Sequence, residues 1–352
     1  MKTLAALLLL TLALATGVPC CAPSLASACG GFFARHTSHA VAAAPSLWHE
    51  QVLLIFDPSK EREHFVREVA FRNGSEPFGF VVPTPSRPEV AAVAKSPFVA
   101  LHATAPTDDF GADASAGDDN KEGGGGARRA SASAPTAVNV LEVSKVGSFT
   151  AFVIEASDAT AFARWLEKNG FASTPSSDEW LRHYVRVRFF FVALRYDPPE
   201  TAGKGSASTI SETLRISFAT PVPFYPYLEP RGSAPSPERL LDLWLVSTLP
   251  WTPVAARSSS DGVAWVRPLR PTRGYAPRSS LESALGADLS ALLPVGELSV
   301  QTFQDQKASR EGLGDVLFAP LHPGALGPPQ LERLRPLLGL LDAELLPVEA
   351  AR

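Results

Sequence analysis

The sequence is poor in the residues that announce chemistry. Three cysteines and one methionine in 352 residues exclude a disulfide-dense scaffold and a Cys-rich metal domain. Basic charge is not in excess. The chain has 32 Lys and Arg against 36 Asp and Glu, a net charge of −4, which excludes a dedicated nucleic-acid binder. It contains no Gly-x-Ser-x-Gly elbow, phosphate-binding loop or dinucleotide fingerprint. The Gly123–Gly126 run lacks a flanking strand and helix and no Lys-Ser/Thr pair follows it. His49-Glu50 opens as a zinc helix motif would, but Leu53 stands where the second histidine belongs. No repeat of supersecondary length occurs. Beyond the N-terminal segment no apolar stretch approaches the roughly 20 residues that cross a bilayer, so no helical membrane span is expected.

What is present suffices for a large core. Apolar residues make up 45% and charged residues 19%, which excludes global disorder, and the length suits about two domains. Residues 4–15 are apolar apart from Thr11 and follow Lys2. This run is too short to span a membrane and the right length for a signal-peptide core. Pro19 and Pro23 would break a buried helix. Ala26-Ser27-Ala28 fits the small-x-small cleavage rule, which predicts export to the periplasm or beyond, with Cys29 first in the mature chain. Cys20 and Cys21 then leave with the leader. Cys29 has three fates: a lipid anchor, a bridge between chains, or a free thiol. Ala26, where a lipoprotein signal carries a large aliphatic, favours the last two.

Residues 47–56, 64–71 and 78–82 read as three strands in a β-meander. In the second, Phe65, Val69 and Phe71 share one face with Arg67, an imperfect period of two. Residues 111–135 hold no large aliphatic or aromatic side chain, so about 104–137 is expected to be a disordered loop. Residues 149–155 read as a strand, and a helix follows from an Asp158 cap to Gly170, burying Ala159, Phe162, Trp165 and Leu166. Residues 183–196, 214–218 and 241–246 read as further strands. Ser279-x-x-Glu282 resembles a capping box, with Leu281, Leu285, Leu289 and Leu292 on one helical face. Leu331, Leu334, Leu338, Leu341 and Leu345 repeat that spacing across Pro336. The expected fold is α+β: a largely antiparallel sheet with an embedded helix and a helical C-terminal region. The expected organisation is a leader over 1–28, an α+β domain over 29–250, and a Pro/Arg-rich connection with helices over 251–352.

Candidate sites are few. Cys29, His36, His39 and His49 are the densest set of soft and borderline metal donors, but their spacing matches no closed zinc site, and neither metal nor cofactor is expected. Arg186 and Arg188 would share a strand face able to hold an anion. Phe224, Tyr225 and Tyr227 lie among Pro221, Pro223, Pro226 and Pro230, a rigid loop suited either to covering a core or to presenting aromatics for binding. His64 falls in the charge cluster Glu61-Arg62-Glu63 and reads as solvated.

The segment Cys29-Gly30-Gly31-Phe32-Phe33 resembles the opening of a bacterial family of exported proteins classed only as a domain of unknown function. Phe80-Val81-Val82-Pro83-Thr84-Pro85-Ser86, the strand–helix unit Gly147–Gly170, Tyr184–Tyr196 and the strand ending Phe218-Ala219-Thr220-Pro221 resemble it too. The resemblance covers about 29–250. In that family a second cysteine often follows the Phe-Phe pair; Ala34 stands there, so no local bridge can form. The resemblance implies export and a shared fold, and no activity, substrate or catalytic residue. The expected function is a non-enzymatic binding or structural component of the cell envelope, its partner an envelope protein or a glycan or peptide ligand. The alternative is an envelope hydrolase whose catalytic groups meet only in the fold.

Overall fold

The structure is a computed structural model. It describes residues 31–34, 46–72, 78–106, 128–129, 137–171, 175–197, 209–231, 239–255, 267–268, 277–306, 310, 314–321 and 328–338. The expected leader, and most of the loop expected over 104–137, lie outside the described residues.

The first elements are β1 (Gly31–Ala34), β2 (Ser46–Asp57), β3 (Arg62–Arg72), β4 (Phe78–Thr84), β5 (Glu89–Ala92) and α1 (Phe98–Thr104). Then come β6 (Arg128–Arg129), β7 (Val138–Val146), β8 (Phe149–Ala156), α2 (Ala159–Lys168), α3 (Pro175–Arg186) and β9 (Phe190–Tyr196). β10 (Thr209–Ile210), β11 (Leu214–Ala219), β12 (Phe224–Tyr225), β13 (Leu240–Ser247), β14 (Trp251–Ala255) and β15 (Arg267–Pro268) follow. The last are α4 (Arg278–Ser290), β16 (Ser299–Asp305), β17 (Val316–Pro320) and α5 (Pro328–Leu338).

Three sheets result. One runs β1-β4-β9-β8-β7-β6, one β15-β16-β13-β2-β3-β11-β5 with β10 also on β3, and one β12-β17-β14. β13 pairs parallel with β2. The two large sheets pack face to face through one apolar core. Val52, Leu54, Phe65, Val69 and Phe71 meet Phe78, Phe80, Leu194 and Tyr196 in it, with the rings of Phe71 and Phe78 4.4 Å apart. Helices α2 and α3 cover the other face of the six-stranded sheet, Phe162 lying 4.6 Å from Phe191. Helices α1 and α4 cover the outer face of the eight-stranded sheet, where Leu53, Ile55, Val66, Trp244 and Val246 meet Phe98, Leu101, Leu281, Leu285 and Leu289. The order of layers is helix, sheet, sheet, helix.

Local chemistry accounts for many boundaries. The Asp158 carboxylate accepts from the Ala161 N–H at 2.6 Å and caps α2. α2 ends with Gly170 at φ +90°; Gly170 N donates to Glu167 O and Phe171 N to Leu166 O, a Schellman closure. That turn delivers the Phe171 ring onto β4 at Gly79, where any Cβ would lie 2.3 Å from the ring. α3 closes the same way at Arg188, which takes φ +60°, with Phe189 N donating to Tyr184 O.

Several expectations are overturned. Among the described residues strand outweighs helix, 46% to 25%, so the α+β assignment with a helical C-terminal region does not hold. After residue 250 the chain contributes β14, β15, β16 and β17 as well as two helices. Ser299–Asp305 alternates with a period near two and lies between the two leucine-rich helices. The meander also fails: β2 and β3 pair, but β4 crosses to the other sheet, between β1 and β9. All its residues are buried, and a strand apolar on both faces needs a central place with cover on each side. Residues 183–186 are helical, because Trp180, Leu181 and Tyr184 form a buried helical stripe that overrides the Val/Arg alternation. The capping box does not form either; Pro277 stands at the N-cap of α4 without a side-chain cap.

Candidate functional site

Opposite faces of the eight-stranded sheet carry two polar assemblies. The inner one is an ionic network within the core. Glu50 is 0% exposed and Arg67 3%. Their Oε1 and Nε atoms approach to 2.7 Å, at an angle too bent for a hydrogen bond. The Arg67 guanidinium lies over the Phe80 ring, 4.7 Å from its centroid. Arg310, wholly buried, reaches Glu50 Oε2 at 3.5 Å and Asp305 Oδ2 at 3.2 Å. It also stacks 4.6 Å over Tyr227. Tyr227 donates to Asp305 at 2.8 Å. Arg239 pairs with Glu229. These three arginines and three carboxylates balance, which is the condition under which buried charge is tolerated.

Asp315 closes the network toward α3. It accepts from Tyr184 Oη at 2.8 Å and Leu228 N at 2.9 Å. Burial still pushes its carboxyl up to about 7, against the lowering effect of those bonds. Glu63 accepts from Phe224 N at 2.7 Å, and burial raises it well above the usual carboxylate range. The network is buried and joins β2, β3, β16, the segment at 224–229, Arg310 and Asp315. Its chemistry is that of a lock between layers.

The outer assembly meets solvent. A bulge at Trp48 shifts the register between Leu47 and His49, leaving Leu47 in the core while His49 and Gln51 lie on the outer face. Asp242 lies opposite Gln51 on β13 and Gln304 opposite Asp242 on β16. His49 Nε2 lies 2.9 Å from Asp242 Oδ2, and Gln304 Nε2 donates to Asp242 Oδ1 at 3.0 Å. From α1, His102 Nε2 meets Gln51 Oε1 at 3.0 Å. Gln51 Nε2 donates to Glu68 at 3.2 Å, and Thr213 donates to Glu68 at 2.6 Å. Two hydrogen-bonded runs result, Thr213–Glu68–Gln51–His102 and His49–Asp242–Gln304, joined where His102 Nε2 approaches Asp242 Oδ2 at 3.9 Å, and together they form a polar row across β3, β2, β13 and β16. His49, Gln51, Glu68, His102 and Gln304 are half-buried in it. Burial acts to raise Asp242, but the bonds from His49 and Gln304 outweigh it and hold the carboxylate below its ordinary range.

The residues expected to form sites are dispersed. Cys29, His36 and His39 lie outside the described residues; His49 joins the outer row. Among the described residues no group of three His, Cys, Asp or Glu is placed to hold a metal ion. Arg186 ends α3 and Arg188 occupies the turn after it. Both are exposed, but they share no strand face. Phe224, Tyr225 and Tyr227 are each 0% exposed, so the Pro-rich loop covers the core and presents no aromatic surface. His64 is 8% exposed, not solvated. Asp242, His102, Gln304 and Arg310 gave no motif; their signal was a polar residue inside an apolar strand, as Asp242 is in Leu240–Ser247.

A family model described as an uncharacterized protein conserved in bacteria (DUF2330) matches residues 23–239. The chain belongs to this family. Its matched region ends one residue before β13, so Asp242, Gln304, Asp305, Arg310 and Asp315 come from beyond it. No curated protein matches the chain. Among solved structures it is similar to the crystal structure of baculovirus P35, at 8% identity and a TM-score of 0.37, covering 79% of this chain and 98% of that one. Among the described residues no helix is long and apolar enough to cross a membrane.

Proposed function

We propose that the protein is exported to the cell envelope and acts there as a non-enzymatic binding component, holding a glycan across the outer polar row. The observation that carries this reading is the row itself: imidazole, amide and carboxylate groups from four strands and α1, hydrogen-bonded in two adjoining runs at the sheet surface. Planar polar groups fixed in this way match the hydroxyl pattern of a sugar ring. The ionic lock beneath keeps the strands in register, so little ordering is left for the ligand to bring about.

The test is calorimetric titration of the full mature protein with soluble N-acetylglucosamine oligomers, alongside Gln51→Ala and Asp242→Asn variants. Saturable binding weakened at least tenfold in both variants is expected. No binding, or binding unchanged by both substitutions, rejects the reading; binding of peptides alone would reassign the ligand. Export is tested by the intact mass of protein from its native envelope, expected to begin at Cys29 without acyl chains. The His49–Asp242 pair favours one second reading, a hydrolase using His49 as base. Turnover of such oligomers, lost in His49→Gln with binding retained, would establish it.

A further inference from the structure

A third polar group lies on the outer face, away from the row. β3 and β11 pair with His64 opposite Ser217, Arg62 opposite Ala219 and Arg215 opposite Val66. Because side chains alternate, Arg62, His64, Arg215 and Ser217 emerge on the same face. His64 Nδ1 and Ser217 Oγ lie 2.8 Å apart, which fixes the ring. His64 Nε2 has no partner among the described residues, although the residue is 8% exposed. Arg215 Nε is buried and likewise has no acceptor. The neighbouring charges are satisfied: Lys60 pairs with Asp57 at 2.8 Å and Arg62 with Glu89 at 2.8 Å. One guanidinium N–H and one imidazole nitrogen are therefore left unpartnered on the same sheet face, beside the Arg62–Glu89 pair.

We infer that Arg215 and His64, with Arg62 at the margin and Ser217 orienting the ring, form a binding site for a tetrahedral oxyanion, a phosphate or sulfate group. A buried donor without an acceptor, as Arg215 Nε is, is rare in folded proteins and calls for a partner such as an ion or a water. A guanidinium beside an imidazole supplies directional donors and, on protonation of the ring, a second positive charge for a dianion. Without a bound anion the protonated ring is disfavoured, because burial and the charges of Arg62, Arg215 and Lys60 pull His64 down to about 4, against the opposing charge of Asp57. Binding a dianion reverses that balance, so anion and proton favour each other. The inference does not depend on whether the polar row holds a glycan.

The experiment uses the full mature protein and sulfate, whose charge is constant over the relevant pH range. The His64 ring resonances, assigned by their absence in His64→Gln, are followed against pH with and without saturating sulfate. The midpoint is expected to rise by at least about one pH unit, a tenfold linkage between proton and anion. Arg215→Gln is expected to weaken sulfate binding at least tenfold. An unmoved midpoint in the parent protein overturns the inference without recourse to any variant, and so does unchanged affinity in a folded Arg215→Gln protein. A phosphorylated monosaccharide run in parallel separates the sources. Tighter binding than sulfate assigns the site to a sugar-borne group, and equal binding to the free ion.

Discussion

Glu50→Leu is the sharpest test of the inner lock. Glu50 serves Arg67 at 2.7 Å and Arg310 at 3.5 Å, and all three side chains are at most 3% exposed. Among the described residues, removing the carboxylate leaves Arg67 without an ion-pair partner, with the Phe80 ring beside it, whereas Arg310 keeps Asp305. Breaking a buried pair from one side costs about 3–5 kcal/mol, against about 0–1 for an exposed pair. Set against a total stability of about 5–15 kcal/mol, the variant should lose roughly a fifth of it or more. The melting temperature should fall by on the order of 10 °C. Denaturant unfolding of parent, Glu50→Leu, Arg67→Met and the double variant gives the coupling directly. The double variant should recover more than half of the single loss, because it removes both charges instead of stranding one. A single-variant cost below about 1 kcal/mol, or a double variant as unstable as the two losses added, would refute the account of the network as a charge-balanced lock.

Two buried groups should pull stability in opposite directions below neutral pH. Asp315, raised to about 7 by burial, contributes stability that is lost as pH rises toward 7, while His64, lowered to about 4 chiefly by burial, contributes stability that is lost as pH falls from 6.5 toward 4. Asp315→Asn should therefore make stability fall more steeply on acidification, by up to about 1.4 kcal/mol per pH unit, in denaturant midpoints taken between those values; a slope equal to the parent's would count against the assignment. Gly79→Ala places a Cβ 2.3 Å from the Phe171 ring and should cost about 1–3 kcal/mol by overpacking, read as a lowered denaturant midpoint; a neutral result would mean that Phe171 is free to move. A chain ending at Arg239 keeps nearly the whole family-matched region but loses β13, which lies between β2 and β16. It should show no cooperative melt, and a sharp calorimetric transition would contradict this.

Local chemistry was legible in the residues. The strands at 47–56 and 64–71, the Asp158 cap, the Gly170 stop and the stripe of α2 follow from alternation, capping and left-handed glycine, which act within a few residues. Arg67 already broke the period of its strand, and the structure places it in the core against Glu50. Partners were not legible. Asp242 meets His49 across 193 positions of chain, and Arg310 meets Glu50 across 260. No spacing rule reaches so far, because long-range pairing is set by which strands become neighbours. The departure of β4 to a second sheet and the insertion of β13 beside β2 were decided by the need to cover strands apolar on both faces, and that demand is met only once the layers assemble. The sequence determined its elements and its odd charges. The tertiary structure decided which charges became a buried lock, which a surface row, and which the unpartnered donors of His64 and Arg215, because burial and proximity are properties of the packed layers.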